Sequence, residues 1–173
     1  GIKERFSNKT AIAPTASISI ICGGSSPGIE PIAANSYTHK TLSGSFNVRN
    51  KYLKKLLQKY KKDTDEVWSS ITTNQGSVSH LDFLTAEEKD TFKTAFEIDQ
   101  RWVVELGADR TPHISQAQSI NIFIPADIHK RDLHQINFQA WKKGLKSLYY
   151  CRSKSIQRAE NVNDTKATDV TSN

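Results

Sequence analysis

Three short apolar runs limit the folds open to this chain more than any other feature of its sequence. They are residues 10–13, which stop at Pro14, residues 119–124, which stop at Pro125, and residues 145–150. Helical patterns separate them, and apolar strands that alternate with helices favour an α/β fold with parallel pairing. Three strands are too few for a doubly wound sheet or a closed barrel. The sequence therefore predicts an α/β fold with parallel pairing that does not by itself form either of these architectures.

The predicted helices have recognisable ends. A short one follows Pro14, and longer ones cover residues 51–62, 64–74, 85–106 and 130–143. Thr85 with Glu88 three residues later is typical of a capping box, and Gly144 suits the residue after a helix end. The inward faces of the last two helices are predicted to carry Phe92, Phe96, Val103 and Leu106, and then Leu133, Ile136, Ala140 and Trp141.

Composition excludes several classes of protein. No stretch approaches the roughly 20 apolar residues of a membrane helix, and the first residues show no apolar signal region. Cys22 and Cys151 are too few for a disulfide framework or a four-cysteine zinc site, and each has apolar neighbours, which favours a buried thiol. These features predict a cytoplasmic protein. We expect one domain over residues 1–157 and a disordered polar tail over residues 158–173.

The net charge of +6 is concentrated in one segment. Six of the lysines lie within residues 51–62, whose apolar residues recur at helical spacing. The common interpretation is an amphipathic helix with a solvated lysine face. A nucleic-acid patch is the alternative, but it lacks interleaved arginines, glycine-rich loops or a known binding motif.

The junction after the first apolar run is the first candidate site. Its residues are Pro14, Thr15, Ala16, Ser17 and Ile18. Free backbone N–H groups at a helix start bind phosphate, and small residues let the anion approach. Serine and threonine are also ordinary helix caps, which is the commoner role.

Two other segments carry side chains that are candidates for binding or for redox chemistry. Tyr149 and Tyr150 are adjacent, and neighbours in a strand normally face opposite ways, so a joint redox role requires the strand to twist or end there. The amides of residues 116–119 most often only satisfy loop backbone groups. The five histidines show no metal-ligand spacing.

Four blocks together resemble one family, in that family's order: residues 10–19, 28–31, 114–121 and 140–154. The intervening residues 37–44 also fit, and the likeness as a whole covers residues 5–158. The chain resembles the C-terminal part of the large, catalytic α subunit of class I ribonucleotide reductase. The resemblance implies the last strands of a ten-stranded α/β barrel and the reduction of ribonucleoside diphosphates to 2′-deoxyribonucleotides.

The resemblance also implies roles for both candidate sites. The segment that matches Pro14, Thr15, Ala16, Ser17 and Ile18 cradles the substrate phosphates, although many members have a hydroxyl residue in place of Ile18. The residues that match Tyr149 and Tyr150 relay a radical to an active-site cysteine, with Tyr149 nearer the cysteine and Tyr150 nearer the small subunit. Adenosylcobalamin-dependent relatives need no such pair, so the pair favours class I.

The remaining implications concern partners. The resemblance implies an N-terminal part of the large subunit that carries the catalytic cysteines and binds nucleotide effectors. It implies a small β subunit with a metal-radical cofactor, and no cofactor in this chain. Neither cysteine here matches a catalytic one, so we expect a fragment or one polypeptide of a split large subunit. The alternatives are a non-catalytic module that completes another chain and, less favoured, a basic nucleic-acid-binding domain.

Overall fold

The computed structural model describes residues 6–23, 26–41 and 44–153, with the side chains of residues 39–41 left out of the description. The chain divides into a central unit, residues 31–98, and a split unit, residues 1–30 with 99–173. The predicted tail, residues 158–173, lies outside the described residues. No helix in the described part of the chain is both long enough and apolar enough to cross a membrane.

The central unit contains a hairpin and three helices. Strands β1 (Ser36–Thr41) and β2 (Gly44–Arg49) pair antiparallel, and helices α2 (Lys51–Lys59), α3 (Asp65–Thr73) and α4 (Ala86–Thr91) follow. A 3₁₀ turn, Ala95–Glu97, ends the unit. The hairpin was not predicted from the sequence.

The core of the central unit is built from apolar residues at helical spacing. Leu53 and Leu57 lie four apart on α2 and are fully buried, while the lysines of α2 lie on its exposed face. This arrangement confirms the amphipathic helix. The other buried members of this core are Trp68, Ile71, Val78, Leu81 and Leu84.

The split unit contains a short parallel sheet and two long helices. Helix α5 (Gln100–Arg110) runs into a 3₁₀ turn (Thr111–His113), and strand β3 (Ile122–Ile124) follows. Helix α6 (Lys130–Lys142) then leads to strand β4 (Cys151–Ser153), which pairs with β3 in parallel, as predicted. The short helix α1 (Ala16–Ile21) also belongs to this unit. The buried core is formed by Val103, Val104, Ile120, Ile122, Ile124, Ile136 and Ala140.

The helix predicted over residues 85–106 is wrong in its extent. The capping box of Thr85 with Glu88 is confirmed, but α4 ends at Thr91. Thr94 forms a second capping box with Glu97, and the Asp99 side chain accepts a hydrogen bond from the N–H of Arg101. These local caps start new helical turns, so Leu106 falls on the outer side of α5 and is exposed.

Three further predictions are corrected. The last strand is Cys151–Ser153 rather than residues 145–150, because Leu145 and Leu148 both pack on the split unit's core, a spacing of three that strand alternation does not allow. Trp141 points outward from α6 and is 72% exposed. Both cysteines are exposed thiols, since Cys22 follows the exposed end of α1 and Cys151 begins a strand with no buried residue.

Candidate functional site

The start of α1 presents backbone donors that no side chain caps. Thr15 occupies the cap position, but its hydroxyl donates to the carbonyl of Pro27 at 3.0 Å instead of accepting from the helix. The first N–H groups of any helix have no partner within it. Among the described residues no side chain caps α1, so the ordinary capping role considered for Thr15 is not the one observed.

The side chains around these donors are small and exposed. Ala16 and Ser17 are exposed, and no acidic residue lies in the first turn. Ser19 is buried and donates its hydroxyl to the carbonyl of Ala16 at 2.7 Å. The side chain of Ile18 is 56% exposed and has no donor, so only its backbone can bond an anion. The arrangement can accept an anion from solvent without displacing a side chain.

The backbone before α1 pairs with the segment that leads into β3. The N–H of Ile12 donates to the carbonyl of Ala117 at 3.4 Å, and the N–H of Ser119 donates to the carbonyl of Ile12 at 2.8 Å. These bonds form a single parallel bridge between Ile12 and Gln118. The run at residues 10–13, predicted as a strand, is therefore a bridge in the structure.

Tyr149 and Tyr150 lie just before β4, with their rings in contact. The ring centroids are 4.3 Å apart, and the ring planes are inclined by 59°. The Tyr149 N–H donates to the carbonyl of Ile120, and the N–H of Ile122 donates to the carbonyl of Tyr150, both at 2.8 Å. The rings meet because the regular strand begins only at the next residue, as a joint role requires.

Charged and polar neighbours act on the tyrosine pair. The adjacent Tyr150 phenol, by hydrogen bonding and then by its charge, raises the pKa of Tyr149, while Arg152 acts in the opposite direction. The Arg152 guanidinium lies 5.2 Å from the centre of the Tyr150 ring. Both tyrosines are about half exposed, which leaves one side of the pair open to another molecule.

The amide of Gln118 is structural, as the sequence favours. Gln118 is buried, and its amide nitrogen donates to the carbonyl of Gly107 at 2.8 Å and to the hydroxyl of Thr111 at 3.0 Å. Its amide oxygen accepts from Arg110 at 3.0 Å. These bonds join the segment before β3 to the end of α5.

The two candidate sites are separate groups of residues. Thr15–Ile18 form one turn and the tyrosines one ring pair, and among the described residues no hydrogen bond or ring contact joins the two groups. The tyrosine backbone bonds to Ile120 and Ile122, and Ile12, which precedes the turn, bonds to Ala117 and Ser119. Across the part of the chain that the structure describes, no cluster of three or more His, Cys, Asp or Glu side chains is placed to hold a metal.

Comparison with known proteins decides the family. Residues 3–151 match the model of the ribonucleotide reductase barrel domain. The chain belongs to this family. It is a mixed α/β piece that matches part of the barrel domain of the large subunit.

Individual relatives agree with the family match. The chain is 50% identical to the ribonucleoside-diphosphate reductase large subunit of Invertebrate iridescent virus 6 over 94% of its own length and 17% of that protein. It is 47% identical to the large subunit of Invertebrate iridescent virus 3, over 97% of itself and 27% of that relative. The alpha subunit of the class Id ribonucleotide reductase from Actinobacillus ureae superposes with a TM-score of 0.75 at 46% identity, over 83% of this chain and 26% of that subunit.

Proposed function

We propose that this chain acts as the C-terminal piece of a class I ribonucleoside-diphosphate reductase large subunit. Its strands complete a ten-stranded α/β barrel together with the N-terminal part of that subunit, which carries the catalytic cysteines and binds the nucleotide effectors. The small β subunit brings the metal-radical cofactor. The family match over residues 3–151 and the small share of each relative that the chain spans support this assignment.

In this proposal Thr15–Ile18 bind the phosphates of the ribonucleoside diphosphate. Uncapped N–H groups, the positive end of the helix dipole and small side chains all favour an anion at this turn. The Thr15 hydroxyl is engaged with the carbonyl of Pro27 and shapes the turn, so the backbone of Ala16, Ser17 and Ile18 supplies the donors. Pro14 sets the direction in which the chain enters the turn.

Tyr149 and Tyr150 form the relay, and the contact of their rings is the observation that carries the proposal. Rings at 4.3 Å permit an electron and a proton to pass between the phenols without a large movement. Tyr150 gives one electron and its phenolic proton to the radical on the small-subunit side. It regains both from Tyr149, which regains both from the catalytic thiol, so one radical moves and nothing is consumed.

The test replaces each tyrosine by phenylalanine in the complete complex of large and small subunits. Phenylalanine keeps the ring but removes the proton and is much harder to oxidise. Tyr149→Phe and Tyr150→Phe should abolish nucleotide reduction while each lowers the free energy of unfolding by only about 0.5–1.5 kcal/mol, the contribution of one hydrogen bond. Tyr52→Phe, at an exposed tyrosine of the central unit, is the matched control and should keep full turnover.

The result also separates this function from a non-catalytic module that completes another chain. Such a module keeps turnover in both phenylalanine variants, provided that folding is intact. Turnover within twofold of the unaltered complex in either variant would therefore contradict the relay. A parallel loss of folding and activity would make the tyrosines structural residues of the segment before β4.

A further inference from the structure

Glu30 is a buried carboxyl group in the split unit that neither proposed role uses. It is only 6% exposed. Its carboxyl oxygens accept from the backbone N–H of Asn121 and from the side-chain amide of Asn121, the latter at 3.2 Å. Burial of a carboxyl group is costly unless it is hydrogen-bonded, so this contact holds residue 30 firmly against the start of β3.

The contact between Glu30 and Asn121 lies on the same edge of the segment before β3 as the hydrogen bonds of Ile12. Ile12 bonds to the carbonyl of Ala117 and the N–H of Ser119, which point to one edge of the segment. Because backbone groups alternate along a strand, the N–H of Asn121 points to that same edge. Beside Asn121 the chain that contains Ile12 no longer runs along this edge, because it has turned into α1. The Glu30 carboxyl group therefore accepts the hydrogen bond that a carbonyl of a neighbouring strand would otherwise accept.

The loop that carries Glu30 also holds the proposed phosphate turn. The Ser26 hydroxyl donates to the carbonyl of Glu30 at 2.7 Å, which closes the loop on itself. The Pro27 carbonyl accepts from the Thr15 hydroxyl at 3.0 Å. Three hydrogen bonds and the loop backbone between them therefore connect Asn121 to Thr15, the residue before α1.

Gly28 leaves the space that the carboxyl group occupies. A Cβ at Gly28 would come within 2.4 Å of one Glu30 carboxyl oxygen, so any larger residue would push that group aside. The tyrosine pair does not share this contact, because its backbone bonds to Ile120 and Ile122 rather than to Asn121.

We infer that Glu30 is a positioning residue for the phosphate turn: it fixes the loop 26–30, and through Pro27 the start of α1, in register with the segment that leads into β3. This inference rests on the proposed phosphate role of Thr15–Ile18. It requires that loss of the Glu30 contact weakens substrate binding and leaves radical transfer, which depends on the tyrosine pair, unchanged.

The test measures KM and kcat for a ribonucleoside diphosphate in the complete reductase complex. Glu30→Ala and Gly28→Ala should each raise KM by about twofold to tenfold, the range set by one hydrogen bond, with kcat unchanged. Glu30→Gln should restore most of the loss, because its remaining oxygen still accepts from the N–H of Asn121. Glu105→Gln, at a carboxyl group bonded to α6 in the same unit, is the matched control and should leave KM unchanged.

Ser17→Asp separates this inference from the function on which it rests. A negative charge beside the phosphate should raise KM by about tenfold or more if Thr15–Ile18 bind it. If Ser17→Asp raises KM and the Glu30 and Gly28 variants do not, the positioning role is wrong and the phosphate site stands. If none of them raises KM, the phosphate site is wrong and the inference falls with it.

A purely structural Glu30 gives a different pattern. It would lower kcat and kcat/KM together, in proportion to the folded fraction, and Glu30→Gln would not selectively recover KM. That outcome overturns the positioning role. Glu30→Gln and Gly28→Ala keep the test decisive if Glu30→Ala does not fold, because both retain a polar group of similar size at residue 30.

Discussion

The central and split units bury their apolar residues to very different extents. In the described part of the central unit, the large apolar side chains left exposed are Tyr37, Phe46 and Tyr52. The described residues of the split unit expose many more, namely Phe6, Ile18, Ile20, Ile21, Ile29, Trp102, Leu106, Phe138, Trp141, Tyr149 and Tyr150. Large exposed apolar patches mark interaction surfaces. The split unit, which exposes more large apolar side chains, also carries both candidate sites.

Among the α-helices of the described residues, α1 differs from the others at its start. In the central unit, side chains of Asn50, Thr64 and Thr85 accept from the first turns of α2, α3 and α4. The Thr85 N–H bonds Glu88 and, as the main cause, lowers the pKa of Glu88. In the split unit the side chains of Asp99 and His129 cap α5 and α6 in the same way, whereas α1 has no such cap. An uncapped helix start therefore distinguishes the candidate site from the other α-helices of the described residues.

Replacing one tryptophan in each unit should give the largest difference between the units in the loss of unfolding free energy. Trp68 is 1% exposed and donates to Asp63 at 2.7 Å, whereas Trp141 is 72% exposed. Trp68→Ala should lower the free energy of unfolding of the central unit by about 3–5 kcal/mol, and Trp141→Ala should change that of the split unit by about 0.5 kcal/mol or less. Native-state hydrogen exchange of each unit's amides measures both values. Comparable losses from the two variants would contradict the contrast.

Removing a helix cap should cause a smaller loss of stability, confined to the central unit. Thr85→Ala deletes the acceptor for the N–H of Glu88, so α4 should lose about 1 kcal/mol of stability. Urea unfolding followed at the central unit is the measurement. Thr73→Ala, at an exposed position in the last turn of α3, is the control and should cost nothing measurable. A Thr85→Ala variant as stable as this control would show that the cap is redundant.

The smallest effect concerns pH and His80 in the central unit. Burial, and then the charge of Lys89, lower the pKa of His80 below its ordinary 6.5, against the opposing charge of Asp82. Its Nε2 lies 3.0 Å from the Ser70 hydroxyl, and its Nδ1 is buried without a partner among the described residues. As the pH falls, His80 therefore takes up a proton at a higher pH in the unfolded state than in the folded state. Stability should be complete above pH 6.5 and fall as the pH drops toward the lower folded pKa.

A His80→Gln variant makes the pH effect specific. Glutamine does not titrate, so the part of the stability loss that lies just below pH 6.5 should disappear. Chemical unfolding of both proteins at a series of pH values gives the comparison. Identical pH profiles would mean that carboxyl groups such as Asp63, rather than His80, account for the acid sensitivity of this unit.

The sequence alone predicted the features that depend on local order. The helices near α2, α3 and α6 follow from apolar spacing, the capping box from Thr85 and Glu88, and the end of α6 from Gly144, whose φ of 79° suits glycine. The family resemblance, carried by four blocks in order, is confirmed by the match over residues 3–151. All of these depend on neighbours within a few residues or on motif order.

The tertiary structure decided the features that the sequence pattern did not predict. Only it shows the β1–β2 hairpin, the break between α4 and α5, the exposure of Trp141 and both cysteines, and the contact of the Tyr149 and Tyr150 rings. Only it brings Glu30 to Asn121, 91 residues away, where a carboxyl group replaces a strand partner. Helical spacing says which face of a helix is apolar, but the neighbour that covers it, or leaves it open, is set by packing between distant segments.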